Sequence, residues 1–155
     1  MSLLQKYRKK PDGFIQLVHL IESSEPATQK NLLHLVGTED PGWAHLIKTK
    51  ALTPERILGW PPHILQKILL QFSLPLLATL YATSSDETRV AILNAIPEYQ
   101  IRTVQDHALD HPHDESQALA CRLRLVQITR ELQAKGNLCF REFDPLLDLD
   151  QRLTA

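Results

Sequence analysis

The spacing of ten prolines constrains this chain more than any other feature of its sequence. Proline inside a helix removes a backbone hydrogen bond and clashes with the preceding turn, so helices are expected to begin or end near each one. Between the prolines, apolar residues recur at three- and four-residue steps, and no long stretch alternates apolar and polar residues. The sequence therefore predicts an all-α fold of many short helices.

Three turns carry signals that place the ends of helices. Residues 37–41 are typical of a helix stop, an N-cap and a first-turn proline, which predicts a helix over residues 40–50. Residues 84–87 combine a capping serine with acids that the helix dipole favours in a first turn. The longest helix is predicted over residues 114–135, with Gly136 as its stop.

Apolar periodicity also predicts which side of two later helices is buried. In the helix that follows Pro97, the predicted buried side consists of Ile101, Val104, Ala108 and Leu109. In the longest helix, it consists of Leu119, Leu123, Val126, Ile128 and Leu132. Residues 74–81 form a shorter and almost wholly apolar helix, which we expect to lie at the centre of its domain.

Short helices joined by tight turns are typical of armadillo- and HEAT-like stacks. We therefore expect armadillo-like stacked short helices forming a right-handed superhelix, followed by a helical bundle. The predicted divisions are N-terminal armadillo-like helices over residues 1–50, a linker over 51–62, a helical domain over 63–140 and a tail over 141–155. Such stacks present grooves and faces to other proteins, so the architecture favours a protein-interaction role.

Charge and hydropathy argue against two classes of partner. Lys and Arg number 17 against 18 Asp and Glu, for a formal net charge of −1, so no overall field attracts nucleic acid or an anionic membrane. No apolar run reaches the roughly 18 residues that a membrane span needs, and the N-terminus lacks the order of a signal peptide. The sequence predicts a cytoplasmic protein with no nucleic-acid partner and no direct membrane insertion.

Catalytic motifs are missing from the sequence. It contains no Gly-x-Gly-x-x-Gly, phosphate loop or Gly-x-Ser-x-Gly segment, and its five glycines leave little material for a phosphate cradle. Cys121 and Cys139 have no partners at metal-binding spacing, so we expect ordinary thiols rather than a disulfide, a zinc site or a nucleophile. We predict no enzymatic activity and no cofactor.

One cluster of ligand-type residues leaves an alternative open. His107 and His111 are four residues apart at a predicted helix end, and His113 follows beyond the turn. Imidazole nitrogens in this pattern can bind zinc or nickel, which makes a small metal-dependent enzyme an alternative hypothesis. The glutamate that separates the paired histidines of zinc hydrolases is absent, so our prediction is surface histidines and no metal site.

Several segments occur in the order and at the spacing of a known family. They are residues 38–41, 47–50, 64–69, 85–94 and 127–136. From Asp12 to Phe140, the chain resembles the FliG family of bacterial flagellar motor-switch proteins, covering the end of the middle domain and the C-terminal domain. The resemblance implies a divergent or truncated homologue: either a rotor component in motility and chemotaxis, at the cytoplasmic face of the inner membrane in the flagellar basal body, or a divergent paralogue that acts in assembly, torque or switching. It also implies other switch proteins, the membrane stator and further copies of the chain as partners.

The predicted linker departs from the family. The family's Met-Phe-x-Phe hinge corresponds here to Ala51, Leu52, Thr53 and Pro54. Both aromatic residues are replaced and a proline is gained, so we expect a stiffer joint. Trp60 lies in the same linker between a glycine and a proline, and we expect it to be packed rather than exposed as an interface anchor.

The helix after Pro97 corresponds to the family's stator-facing helix. Where the family has an arginine and, seven residues later, two adjacent acids, this sequence has Tyr99, Asp106 and His107. Four other charges recur at four-residue steps and are named here the charged ridge: Glu98, Arg102, Asp106 and Asp110. We predict that the charged ridge binds a charged partner by complementary potential. The alternative is an ordinary solvated helix face with i,i+4 ion pairs.

The N-terminal helices carry a short apolar face that is expected to mediate self-association. It consists of Leu17, Ile21, Leu32, Leu33 and Val36. Two short helices make a small free-standing layer, so we expect a neighbouring chain to cover this face. A different class of function is also open, namely a cytoplasmic regulatory or sensory domain similar to the N-terminal superhelix of magnesium transporters. That function would require an acidic surface for divalent ions.

Overall fold

A computed structural model describes residues 2–147 of the chain. The described residues form helices and no strand, which confirms the all-α prediction. The described residues divide into two compact units, the first made of residues 2–52 and 139–147 and the second of residues 53–138. The division falls within the predicted linker, and residues 148–155 of the predicted tail lie outside the described residues.

Most of the helices are short, and prolines or polar caps mark many of their starts. In the first unit they are α1 (Leu3–Arg8), α2 (Gly13–Glu22), α3 (Pro26–Glu39) and α4 (Pro41–Lys50). The second unit contains α5 (Pro54–Leu58), α6 (Pro62–Leu69), α7 (Leu74–Ala82), α8 (Asp86–Ala95), α9 (Glu98–Asp110) and α10 (Glu115–Ala134). The first unit also includes α11 (Phe140–Phe143) and the 3-10 helix Pro145–Leu147.

The core of the first unit draws on all four N-terminal helices. Its buried residues are Leu4, Leu17, Val18, Ile21, Val36, Ala44, Ile47 and Ala51. The sequence does not predict α1, because six residues are too few for a periodic signal, yet Leu4 is fully buried. Leu147 of the predicted tail is buried as well, and its 3-10 helix contacts α4. Both ends of the described chain therefore contribute to this unit.

The junction of α3 and α4 differs from the prediction in one detail. Gly37 was expected to end the preceding helix, and this prediction is wrong because α3 continues to its last residue two positions later. A Cβ on Gly37 would lie 3.6 Å from the Cβ of Ala44, an ordinary van der Waals distance, so α3 and α4 pack against each other at this position. Asp40 caps α4 as predicted, since its Oδ1 accepts a hydrogen bond from the Trp43 N–H at 3.1 Å.

Helix α7 is central to the second unit, as predicted, because it contacts α8, α9 and α10. Helix α10 also has its predicted ends. Asp114 and Gln117 form a capping box at its start, and Gly136 adopts φ 79° just beyond its last turn. These local signals position α10 as the longest support of the unit.

The buried side of α10 is rotated from the predicted one. Leu119 and Leu123 are only half-buried, whereas Cys121 and Leu125 are fully buried. Both pairs repeat at a four-residue step, so periodicity alone does not decide which stripe faces the core. Ile128 and Leu132 are buried as predicted and belong to both patterns.

Candidate functional site

Helix α9 exposes most of its surface. Val104 is its one fully buried residue, and the helix packs on α7. All four residues of the charged ridge are exposed. Leu109 was expected on the buried side, but it is 85% exposed. That prediction is wrong because each residue turns about 100° around a helix, which carries Leu109 away from the side of Val104 and Ala108.

The ion pair within the charged ridge is weak. Arg102 Nε lies 3.8 Å from Asp106 Oδ2, and the two side chains are 92% and 62% exposed. Water screens a pair of this kind, so it contributes little to stability. The guanidinium and the carboxylate therefore remain available to a partner.

A shallow groove of about 580 Å³ adjoins the charged ridge and is lined in part by Asp106 and Arg89. The Arg89 side chain is held by two hydrogen bonds, from Nε to the Tyr81 carbonyl at 3.0 Å and from Nη2 to the Ala82 carbonyl at 2.7 Å. Its guanidinium carbon also lies 5.5 Å from the centroid of the Tyr81 ring. The charged ridge thus borders the Arg89 guanidinium, which these contacts hold in place. This surface therefore carries both positive and negative charges.

The three histidines near the end of α9 serve the helix end. His107 and His111 stack with ring centroids 4.0 Å apart, and His111 Nδ1 donates to the His107 carbonyl at 3.0 Å. His113 Nε2 donates to the Ala108 carbonyl, and its Nδ1 lies 3.1 Å from the Thr79 hydroxyl of α7. These contacts satisfy carbonyls of the last turn of α9 and fasten it to α7.

The structure does not bring these histidines into a metal-binding arrangement. Within residues 2–147, no three His, Cys, Asp or Glu side chains are placed to hold a metal ion. Both nitrogens of His113 already have contacts, so metal binding there would break one of them. Nδ1 of His107 is buried and has no hydrogen-bond partner among the described residues. The residues offer helix capping rather than a ready coordination shell.

Cys121 is buried, and its thiol donates to the Leu76 carbonyl at 3.3 Å. Burial raises the pKa of the Cys121 thiol to about 12, and the nearby Arg122 opposes this shift only in part. A protonated, buried thiol is a poor nucleophile. Cys139 is exposed, and neither cysteine forms a disulfide.

The predicted self-association residues have two different environments in the first unit. Leu17, Ile21 and Val36 are at most 2% exposed and belong to the unit's own core. Leu32 and Leu33 are half-buried at the edge of that core. The chain's own helices cover the first group, so of these five predicted residues only Leu32 and Leu33 retain apolar surface that a second molecule can contact.

The residues of the predicted hinge are anchored locally. Leu52 is fully buried, and its N–H donates to Glu22 Oε2 at 2.9 Å, so the carboxylate ties α2 to the end of the first unit. Thr53 caps α5 through its hydroxyl, and Pro54 occupies the first turn. Ala51 and Trp60 are both buried, which for Trp60 is the packed environment expected from the sequence.

The structure also contains a surface that the sequence did not predict, which we name the basic groove. It has a volume of about 680 Å³ between α3 and α4, and its lining includes Lys30, Leu33, His34, Gly37, Ala44, His45 and Lys48. The sequence signal was present as Lys30 and His34 one turn apart on α3. Two helices form the groove, however, so no single periodic pattern reveals it.

Within the described part of the chain, no helix combines the length and the apolar character needed to cross a membrane.

Comparison with known proteins confirms the C-terminal-domain part of the resemblance found in the sequence. The FliG C-terminal domain family model matches residues 35–140, a range that begins inside α3 and includes the whole second unit. A comparison with curated proteins gave no match. The family's FliG proteins are structural components of the flagellar motor. Because the match covers more than half of the chain, this protein belongs to the FliG C-terminal domain family and is a module related to the flagellar motor switch.

Proposed function

We propose that this chain is a non-enzymatic component of the flagellar motor switch, acting at the cytoplasmic face of the inner membrane. The observation that carries the proposal is the family match, which spans the entire second unit and therefore includes α9 with its exposed charged ridge. The buried, protonated Cys121 and the structural contacts of His113 leave these groups poorly suited to catalysis. Protein binding is the function that the surface of α9 supports best.

The charged ridge is the proposed contact for a stator or switch protein. It presents three carboxylates and one guanidinium in solvent, beside the fixed guanidinium of Arg89. Complementary potentials of this kind raise association rates and reject wrong partners more than they raise affinity. Tyr99 and Leu109 are 78% and 85% exposed on the same helix, and they supply the apolar contact that a polar patch lacks.

Self-association is the second part of the proposal, and helix α3 of the first unit carries it. Leu32 and Leu33 are half-buried, and Leu35 on the same helix is 53% exposed. A neighbouring copy that covers these side chains removes apolar surface from water. The deeper residues Leu17 and Ile21 support the face from below rather than touch the neighbour.

Binding to purified motor proteins tests the partner proposal. The probes are the cytoplasmic segment of the stator protein and the neighbouring switch protein from the same bacterium, titrated by calorimetry against the intact chain. Asp106→Lys and Glu131→Lys form a matched pair, because each removes one carboxylate that faces an arginine on an exposed helix surface. We expect Asp106→Lys to weaken binding by about tenfold and Glu131→Lys to leave it within about twofold.

Two results would overturn the partner proposal. One is the absence of binding between the intact chain and either motor protein at low salt. The other is an equal loss of affinity in both variants, since this would mean that overall charge, rather than the charged ridge, governs the contact.

A further inference from the structure

We propose that the basic groove of one copy binds the end of α9 of a second copy, through Asp106, Leu109 and Asp110. The inference deepens the self-association in the proposed function and depends on it. It is carried by two surfaces with complementary charge and shape, one in each unit of the chain.

Small residues give the basic groove its shape. Gly37 and Ala44 both line the groove, and a Cβ on Gly37 would lie 3.6 Å from the Ala44 Cβ. With no large side chain at either position, a trough remains between the two helices. Leu33 and Pro41 add apolar surface to its lining. A protruding aliphatic side chain of moderate size fits such a trough.

The charge of the basic groove has one sign. Lys30 lies on the α3 side and Lys48 on the α4 side, and both are exposed. His34 and His45 also line the groove, and a ring N–H of each is a hydrogen-bond donor that suits a carboxylate. Among the described residues, no Asp or Glu lines the groove. The fitting occupant therefore carries carboxylates next to an apolar side chain.

The end of α9 has this combination. Leu109 is the most exposed large hydrophobic side chain of the described residues, at 85%. Asp106 lies one turn before it and Asp110 directly after it, and both carboxylates are exposed. The two acids are about 6 Å apart along the helix axis, the same rise that separates Lys30 from His34 on α3. Leu109 can thus enter the trough while Asp106 and Asp110 lie beside Lys30 and His34, with Lys48 on the α4 side of the groove.

The contact is heterologous, because the groove and the helix are different surfaces. Such contacts join copies head to tail and build rings or filaments rather than closed dimers. One helix in a shallow groove buries less than a standard interface of about 1,600 Å², so the association is weak and sensitive to salt. Asp106 also belongs to the charged ridge, so a second copy and the motor partner compete for α9.

A charge exchange between two variants tests this pairing in the full-length chain. The first variant is Lys30→Glu with Lys48→Glu, and the second is Asp106→Lys with Asp110→Lys. Sedimentation velocity over a concentration series at low salt should show association of the intact chain and at least a tenfold weaker association of each variant alone. An equimolar mixture should associate again, because the acidic groove meets the basic helix and the native groove meets the native helix.

The controls separate this inference from the broader self-association. Lys67→Glu reverses an exposed lysine outside the groove and should leave association unchanged, and circular dichroism verifies the fold of every variant. A folded mixture that stays monomeric overturns the pairing. If association survives in both double variants but is lost in Leu35→Glu, the pairing of the groove with α9 is overturned. The broader proposal of self-association through α3 would then still be supported. An intact chain that is monomeric at every concentration overturns both.

Discussion

Helices α9 and α10 belong to the same unit but differ in how much of their surface is buried. Six residues of α10 are buried: Cys121, Leu125, Val126, Ile128, Thr129 and Leu132. In α9 only Val104 reaches that state, and the rest of the helix carries exposed charges. Packing restricts which residues α10 can contain, whereas most positions of α9 are free of that restriction. Helix α10 therefore supports the unit, whereas α9 presents a surface to solvent.

Helices α9 and α10 also differ in how their ends are stabilised. A capping box fixes the start of α10, while α9 starts after Pro97 without a side-chain cap. The end of α9 depends instead on histidine contacts with its own carbonyls and with α7. Helix α9 therefore relies on its neighbours for order, and its outward face is left for binding.

The largest expected effect concerns a core residue of α10. Leu125→Ala should lower the free energy of unfolding by about 2–5 kcal/mol, because it removes a fully buried side chain and leaves a cavity. Leu109→Ala on α9 removes the same atoms from an exposed site and should change stability by no more than about 0.5 kcal/mol. Urea denaturation followed by circular dichroism measures both. Similar losses of unfolding free energy in the two variants would contradict the difference in burial between α9 and α10.

The buried thiol of Cys121 on α10 should make the free energy of unfolding depend on pH. The pKa of Cys121 is about 12 in the folded chain against an ordinary 9.0, so the folded state keeps a proton that the unfolded state releases. The free energy of unfolding should therefore fall as pH rises from about 9 towards 12, by up to about 1.4 kcal/mol per pH unit. Cys121→Ala lacks this contribution. If the free energy of unfolding depends on pH in the same way in the native chain and in Cys121→Ala, the raised pKa of the Cys121 thiol is contradicted.

The capping box predicts a smaller effect at the start of α10. Asp114→Ala should cost about 1 kcal/mol of unfolding free energy, because the Gln117 N–H loses its acceptor. Asp114→Asn keeps a side-chain oxygen and should retain most of the stability. Thermal and urea denaturation give the values. Equal losses with Asn and Ala would mean that the negative charge, rather than the cap, matters at this position.

The smallest expected effect on stability belongs to the charged ridge. Arg102→Gln should change the free energy of unfolding by less than about 0.5 kcal/mol, since the ion pair with Asp106 is exposed and screened. The same denaturation assay measures it, at low and high salt. A loss above about 1 kcal/mol would show that the ridge supports the fold, which would weaken its role as a free binding surface.

Local sequence signals predicted much of the fold. The cap at Asp40, the proline after it and the glycine after α10 each act on their own neighbours, so the ends of α4 and α10 follow from short segments. Helix α1 escaped prediction because its six residues gain their order from contacts with α2 and α3. The choice between the Leu119 and Leu125 stripes of α10 likewise depends on the partner helices, which periodicity does not contain.

The sequence predicted one part of the candidate site and missed another. Four-residue spacing predicted that the charges of the ridge share one side of α9, and all four are exposed. It did not predict that Leu109 stands beside them, because hydrophobicity alone assigned this leucine to the core. The basic groove was missed since Lys30 and Lys48 come from different helices. Side chains that meet across a helix pair are beyond a one-dimensional pattern.

The most direct test of the account is photocrosslinking in living cells of the source bacterium. A photoreactive amino acid replaces Asp106 on α9 or, as a control, Ala120, which is exposed on α10. Mass spectrometry then identifies the crosslinked protein. We predict a stator or switch protein bound at position 106 and not at position 120. A chain that crosslinks no motor protein from position 106, or the same proteins equally from both positions, would contradict the central claim that α9 is the binding face of a motor-switch module.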